Sequence, residues 1–406
     1  MFQRCLKKLA ELDLTFSKRL PVYTLFAAFK KMVPLVIINV YLHLFSKLFL
    51  DPAALLPAVL HIKIKPSPIY QNIMFLTSAF DYLVIAFVMA LWTKNYLNKK
   101  LQVFGYEKDN LLPILVNFTL ALSYGFATYS PANQNALHLL IPLLLTHLAN
   151  MSFITMTRLS KGRFPDFGFA YLLWAAVILA IVSYLYGHMP SELITNAYSS
   201  FFSLSFFSHW YGLLLIAILA PVVFSIGLAV PSDLGTTAPD LAQVNSNLNA
   251  VYQAVMAQLP SPANPYSVLT TSMMIGGVGA ALALAIVLVF SKNKKTRRLG
   301  LFALLPAIFD SSKILAYGYP LFFRPLMLVP MLLASVYGTL LTAASILSGF
   351  ARPTVFVVPN NTPHVLLAFF ASQTPFRSLG ITLLVLFGAC LIYWPFVKAD
   401  ELGERR

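Results

Sequence analysis

The chain has 406 residues, of which 58% are hydrophobic and only 11% charged, with a formal net charge of +15. That much apolar surface excludes a soluble globular enzyme and implies an all-α polytopic membrane protein. The positive charge falls in short clusters between apolar spans, the mark of a cytoplasmic membrane face rather than a nucleic-acid surface.

Residues 1–31 form a basic cytoplasmic segment with Arg4, Lys7, Lys8, Lys18, Arg19, Lys30 and Lys31. Residues 2–16 are amphipathic through Leu6, Leu9, Leu12 and Leu14. They read as an interfacial helix on the cytoplasmic leaflet, the alternative being an unstructured basic leader. The N-terminal part, 32–190, contains apolar spans at 33–50, 72–93, 111–129, 139–156 and 167–186, each near the ~20 residues that cross a bilayer. Lys94, Lys99 and Lys100, then Arg158, Lys161 and Arg163, fit a cytoplasmic N-terminus with alternating crossings. Lys63 and Lys65 fall on the opposite side and are outnumbered.

In the second part, 191–397, spans are expected at 211–230 and 272–290, the latter ending at Lys292, Lys294, Lys295, Arg297 and Arg298. A single span between two external points breaks the parity. A further crossing or a re-entrant hairpin therefore lies in 189–266, which holds Pro231-Ser232-Asp233 and Asn245-Ser246-Asn247. Non-helical backbone at membrane depth is tolerated only where it is buried in protein or lines a wet cavity. A binding site built partly of irregular backbone is expected on that ground. A second irregular region covers 301–320, followed by spans at 321–347 and 379–397 and a cytoplasmic tail, 398–406. Between those spans lie the loop Val357-Val358-Pro359-Asn360-Asn361-Thr362-Pro363-His364 and a short apolar piece, 365–371. The sum is about nine to ten spans with two re-entrant hairpins.

Three ionisable residues stand out at membrane depth. Asp310 and Lys313 are spaced to pair with each other if their segment is helical; the other reading is a polar lining for a ligand. Asp81 is central in the second span, with no partner evident on its own helix, and reads as an interior hydrogen-bonded acid. His147, His209 and His364 are candidate bases whose ordinary reading is a hydrogen-bonded structural histidine. The amides and hydroxyl of Asn360, Asn361 and Thr362 suit the hydroxyls of a sugar. Cys5 and Cys390 make neither a disulfide framework nor a metal site, and no nucleotide-binding loop, zinc spacing or hydrolase elbow is present. No cofactor or metal is implied.

The segment Phe309-Asp310-Ser311-Ser312-Lys313-Ile314-Leu315-Ala316-Tyr317-Gly318-Tyr319-Pro320 resembles the substrate hairpin of enzyme IIC. Enzyme IIC is the permease of the phosphoenolpyruvate-dependent sugar phosphotransferase system, here its lactose/cellobiose/diacetylchitobiose family. That family reads Phe-Asn-Ile-Asn-Glu-Pro-Leu-Leu-Phe-Gly-Leu-Pro, and its Glu serves the sugar hydroxyl that becomes phosphorylated. Ser312, Lys313 and Ile314 stand where Asn, Glu and Pro would be. The similarity extends over about 266–400: Gly276-Gly277-Val278-Gly279-Ala280-Ala281 is similar to the family's Gly-Gly-Ser-Gly-Ala-Thr, although helix packing alone also accounts for the glycines. Val358-Pro359-Asn360-Asn361-Thr362-Pro363 is similar to Val-Pro-Trp-Thr-Thr-Pro. Phe224-Ser225-Ile226-Gly227-Leu228 matches a Phe-Gly-Ile-His-Gly-like motif and puts Gly227 at the family's histidine.

The resemblance implies a homodimer in which a sugar-binding part moves against a dimerisation part, and a soluble enzyme IIB as phosphoryl donor. It also implies a sugar, of disaccharide size, held by Ser225, Gly227, Asp310, Ser312, Lys313, Asn360, Asn361, Thr362 and His364 around one polar cavity. With the acid absent, no catalytic residue is assigned. Two functions stay open: a permease component with weak or lost phosphotransfer, and a sugar-sensing membrane domain coupled to a cytoplasmic signalling output, such as cyclic-di-GMP turnover.

Overall fold

The computed structural model describes residues 2–62, 68–103, 111–127, 139–160, 168–188, 200–201, 204–228, 230, 234–235, 241–253 and 259–404. Pro231-Ser232-Asp233, Lys63, Lys65, Lys161 and Arg163 lie outside these residues. Among the described residues there is no β-strand, only two isolated bridges.

The N-terminal helices are α1 (Phe2–Ser17), α2 (Leu20–Phe45), α3 (Leu55–Val59), α4 (Pro68–Gln102), α5 (Leu111–Ala127), α6 (Leu140–Leu159) and α7 (Gly168–His188). They pack in succession, α2 on α4, α4 on α5 and α6, α5 on α6 and α7. α2 begins at Leu20 with Pro21 in its first turn, where the fixed φ and missing N–H of proline suit a helix. The sequence expects this span to open near residue 33. The helix is longer, because Leu25, Ala28 and Phe29 bury inside the protein and draw the preceding turns into it.

The C-terminal helices are α8 (Trp210–Ser225), α9 (Ala242–Tyr252), α10 (Ala281–Val289), α11 (Lys294–Ile308), α12 (Lys313–Gly318), α13 (Pro325–Leu347), α14 (His364–Ala371) and α15 (Pro375–Glu404). α13 packs on α8 and α15, and α10 packs on α11 and α15. Among the described residues, six helices are long and apolar enough to cross a membrane: Leu20–Leu50, Pro68–Gln102, Leu140–Leu159, Gly168–Leu185, Pro325–Leu347 and Pro375–Leu402. Leu111–Phe126 and Trp210–Ser225 are shorter apolar helices. The protein is thus an all-α, multi-pass membrane protein.

Three local outcomes differ from the sequence expectation. The span expected at 272–290 is only half helical: a π-helical turn, Tyr266–Thr270, and a run of turns precede α10, which starts at Ala281. Gly276, Gly277, Gly279 and Ala280 all have positive φ, so the glycine run is a turn and not a helix-packing stripe. The region expected to be irregular from 301 stays helical to Ile308 in α11. Asn293 caps that helix, its side-chain oxygen accepting from Lys295 N at 3.0 Å. The third concerns α1, whose Leu6, Leu9 and Ala10 pack against the protein core, with the helix seated on α13 and α15. Part of its apolar face is therefore turned to protein, while Leu12 and Leu14, expected on the same leaflet face, stay exposed.

The two groups of helices meet along a seam. α12 packs on α2, where Phe29 stands edge-on to Tyr317 with ring centroids 5.4 Å apart. Phe322 continues this contact to Phe224 of α8, at 5.1 Å. Such rings bury large areas in a defined geometry, which fixes the hairpin carrying α12 against both halves.

Candidate functional site

The hairpin turn between α11 and α12 carries Asp310, Ser311 and Ser312. Asp310 adopts a left-handed backbone (φ 62°), which Asp tolerates better than most residues. Its carboxylate accepts from Gly276 N at 2.7 Å through one oxygen and from His364 N at 2.9 Å through the other. One side chain thereby joins the glycine turn, the hairpin and the start of α14. The glycines permit this approach. A Cβ on Gly277 (φ 108°) would stand 2.9 Å from Ser312 Oγ, too close for any real side chain.

His364 is buried and bonded on both ring nitrogens. Nδ1 lies 2.9 Å from Met274 O and 3.2 Å from Asp310 Oδ1; Nε2 lies 3.1 Å from Gly235 O. All three neighbours are acceptors, so both nitrogens donate and the ring is held as an imidazolium paired with Asp310. In that state it has no lone pair to take a proton.

Lys313 opens α12 and is 8% exposed. Its ammonium meets Asp81 of α4 at 2.5 Å, across the seam between the two halves. Asp310 is thus not its ion-pair partner, even at the helical spacing that suggested the pairing. The second oxygen of Asp81 accepts from Asn39 Nδ2 of α2 at 2.8 Å. Asn39 also donates to Thr77 O, and Thr77 Oγ1 lies 3.0 Å from His43 Nδ1. Asp81 is therefore the interior, hydrogen-bonded acid that its position suggests, with its partners on other helices.

Asn360 and Asn361 gather around a different acid. Asp51 accepts from Asn360 Nδ2 at 3.3 Å and from Asn361 Nδ2 at 3.1 Å. Asn361 Nδ2 also reaches Lys47 O at 3.1 Å, and Asn360 exchanges backbone bonds with Ala53 and Leu55. Thr362 closes the turn by donating to Pro359 O at 2.6 Å. Lys47 lies in the electrostatic field of Lys313, Asp51, Asp310 and Asp81, which makes one polar neighbourhood of these groups. Within it, three carboxylates (Asp51, Asp81, Asp310) face three cations (Lys47, Lys313, His364). The cluster is self-neutralised, the condition under which charge persists at membrane depth.

Ser225 and Gly227 have other partners. Ser225 O accepts from Phe323 N at 2.8 Å, and its hydroxyl donates to Val222 O. Gly227 O accepts from Leu139 N and Leu140 N at 2.8 and 3.0 Å. Gly227 has φ 83°, and a Cβ there would lie 3.3 Å from Leu139 Cβ. A histidine at this position would need the start of α6 to move. His147 stacks on Trp92 with centroids 6.2 Å apart, and His209 bonds Ser205 O and stacks on Tyr211.

The residues that sequence reasoning missed are those supplied by the N-terminal half: Asn39, Lys47 and Asp51. A polar side chain inside an apolar span is a visible signal for Asn39. Asp51 sits at the end of its span, where an acid is unremarkable. A second charged group joins other helices: Arg324 donates to Asp13 of α1 at 2.7 Å and to Asp400 of α15, and Asp13 accepts from Leu326 N at the start of α13.

Residues 166–335 match the family described as "Phosphotransferase system, EIIC". The putative permease IIC component YwbA of Bacillus subtilis (strain 168) is 31% identical over 126 residues, covering 30% of this chain and 28% of that protein. The cellobiose-specific EIIC component of Geobacillus stearothermophilus is 26% identical over 195 residues, 46% of this chain and 42% of the relative. The oligo-beta-mannoside-specific EIIC component of B. subtilis is 30% identical over 134 residues, 32% of this chain and 30% of the relative. The matches thus span less than half the length of these curated relatives. Among solved structures, the transporter ChbC, the IIC component of an N,N'-diacetylchitobiose-specific phosphotransferase system, aligns over 96% of this chain and 95% of its own, with 14% identity and a TM-score of 0.42. The chain is thus a multi-pass membrane protein by its apolar helices, and its residues 166–335, which carry the hairpin, are similar to the phosphotransferase-system EIIC family.

Proposed function

We propose that this protein is a sugar-binding permease component that works beside a soluble IIB protein and in which phosphotransfer to the sugar is weak or lost. One observation carries the reading: Lys313 stands where the resemblance places the acid, and its ammonium is bound to Asp81. A protonated lysine has no lone pair to receive the proton of an attacking hydroxyl, and general-base help is worth ~10²–10⁴-fold in rate. The two nearby substitutes are engaged. His364 donates through both nitrogens, and Asp310 is bonded by two backbone amides. The amides of Asn360 and Asn361, the Ser312 hydroxyl and the Asp81–Lys313 pair are the groups proposed to meet the sugar, of disaccharide size, in a homodimer.

The experiment is sugar phosphorylation by membranes holding the full chain and supplied with phosphorylated IIB proteins. The expected rate is at least ~10²-fold below that of a permease with its acid intact. Robust product formation by the unmodified chain overturns the reading.

The alternative, a sugar sensor with a cytoplasmic output, has its own support. Arg324, eleven residues beyond Lys313 in sequence, ties the hairpin region to the last helix through Asp400. A change at the hairpin is thereby linked to α15. Sugar-dependent protection of residues near Asp400 in hydrogen exchange would favour sensing; protection confined to the hairpin would favour transport.

A further inference from the structure

Lys313 reverses the sign of the group at the centre of the polar cluster, and the charge that answers it comes from the protein itself. Asp81 reaches it from another helix, at 2.5 Å, and the Asp81 side chain keeps 19% exposure against 10% for Lys313. Lys47 adds a second ammonium in the same field. The pair is therefore a buried cation closed by a side-chain carboxylate from another helix. Asn39 supplies a second, independent observation. It is 3% exposed, and its Oδ1 is buried without a hydrogen-bond partner while its Nδ2 serves Asp81. An acceptor left unsatisfied in a dry site is costly. A sugar hydroxyl that reached Asn39 Oδ1 would satisfy it, with Asn39 Nδ2 staying on Asp81 and Thr77 O.

We propose that the Asp81–Lys313 pair is the recognition point for an anionic sugar, one bearing a carboxylate or phosphate oxyanion, which replaces Asp81 on Lys313 as Asp81 takes up one proton. Charge balances in this exchange. The ion pair plus an anion and a proton becomes a lysine–ligand pair plus a neutral carboxylic acid. Without that proton, an unpaired carboxylate would remain in the cluster and oppose binding. The inference rests on the reading that this cluster meets a sugar, and adds the sugar's charge.

Proton uptake makes the binding depend on pH with a definite sign. Asp81 faces Lys313 and Tyr317 of α12 and Lys47 beyond α2, with His43 across Thr77, and Lys47 in turn lies in the field of Asp51 and Asp310. Binding that takes up one proton tightens as pH falls.

The test is equilibrium binding to the purified full chain of D-glucuronate, D-glucose 6-phosphate, inorganic phosphate and cellobiose, from pH 5.5 to 8. The expected result is binding of at least one anionic sugar, tightening as pH falls, at least tenfold stronger than binding of cellobiose. The glucuronate and glucose 6-phosphate arms distinguish carboxylate from phosphate. Binding of inorganic phosphate as strong as that of either sugar would overturn the sugar part. Asp81→Asn should bind the anionic sugar more tightly and lose the pH dependence; Lys313→Met should lose the preference for anions. If Asp81→Asn does not fold, the double variant Asp81→Asn/Lys313→Met, which leaves no unpaired charge, should fold and show no anion preference. Cellobiose binding with no anionic preference sinks this proposal and leaves the sugar reading standing. No sugar bound by the unmodified chain and by Asp81→Asn sinks both, and pH-independent anion binding overturns the exchange.

Discussion

Asp310 and Lys313 sit three residues apart on one hairpin, and the fold treats them in opposite ways. Asp310 is enclosed: two backbone amides and the His364 ring converge on its oxygens, all from the C-terminal half. Lys313 faces one side-chain carboxylate, on a helix of the other half. Backbone donors from a fixed turn cannot leave without unfolding it, whereas a side chain on a neighbouring helix can turn away. The comparison separates a charge that builds the site from a charge that can be exchanged within it.

The sharpest way to break the comparison is to remove each charge in turn. Asp310→Ala leaves Gly276 N, His364 N and a buried imidazolium without their acceptor. Deleting one member of a buried ionic pair costs about 3–5 kcal/mol, so a large fall in thermal stability in detergent is expected. Lys313→Met strips Asp81 of its cation, but Asp81 keeps Asn39 and some solvent, so about 1–3 kcal/mol is expected, below the fully buried range. Asp81→Asn/Lys313→Met should return to within about 1 kcal/mol of the parent, since a buried pair replaced by neutral groups of similar size is often neutral in stability. Equal losses for Asp310→Ala and Lys313→Met would end the distinction between them.

Gly277→Ala tests the turn that holds Asp310 in place. A left-handed backbone strains an L-residue by about 1–2 kcal/mol, and the added methyl also meets Ser312. Trimming Ser312 to glycine in the same chain should recover the steric part and leave the backbone part. Full recovery would mean that φ at this position is not what requires glycine.

How much of this was legible beforehand follows from the reach of each interaction. Membrane spans are local apolar runs, so α6, α7 and α13 fall close to their expected limits, while α4 and α15 run on beyond theirs as helix past the apolar stretch. The glycine run was visible, but its conformation was not, since the same residues serve a packed helix or a left-handed turn until Asp310 and Ser312 are brought against them. Asp310 and Lys313 were legible as charges at depth. Their partners were not, because Asp81 lies 232 residues from Lys313 and His364 lies 54 from Asp310. Pairing at that range is set by helix packing, on which local spacing is silent. The match of Asn360 and Asn361 to Asp51, across the two halves, escaped for the same reason.

The smallest expected effect is the most discriminating for function. Lys313→Glu puts back the acid that the family resemblance places at this position, yet it should produce no measurable gain in sugar phosphorylation. The new carboxylate would face Asp81 at the distance now held by an ion pair, and two carboxylates so close cannot both stay ionised. One takes a proton and stops being a base, or the hairpin shifts and the geometry is lost. Adding Asp81→Asn removes that repulsion, and the double variant is the proper test of whether the acid alone is missing. If phosphorylation by IIB-supplied membranes rises only in the double variant, Asp81 and Lys313 act as one exchanged unit. A rise in Lys313→Glu alone would mean that Asp81 is a spectator and that the pair does not define the site.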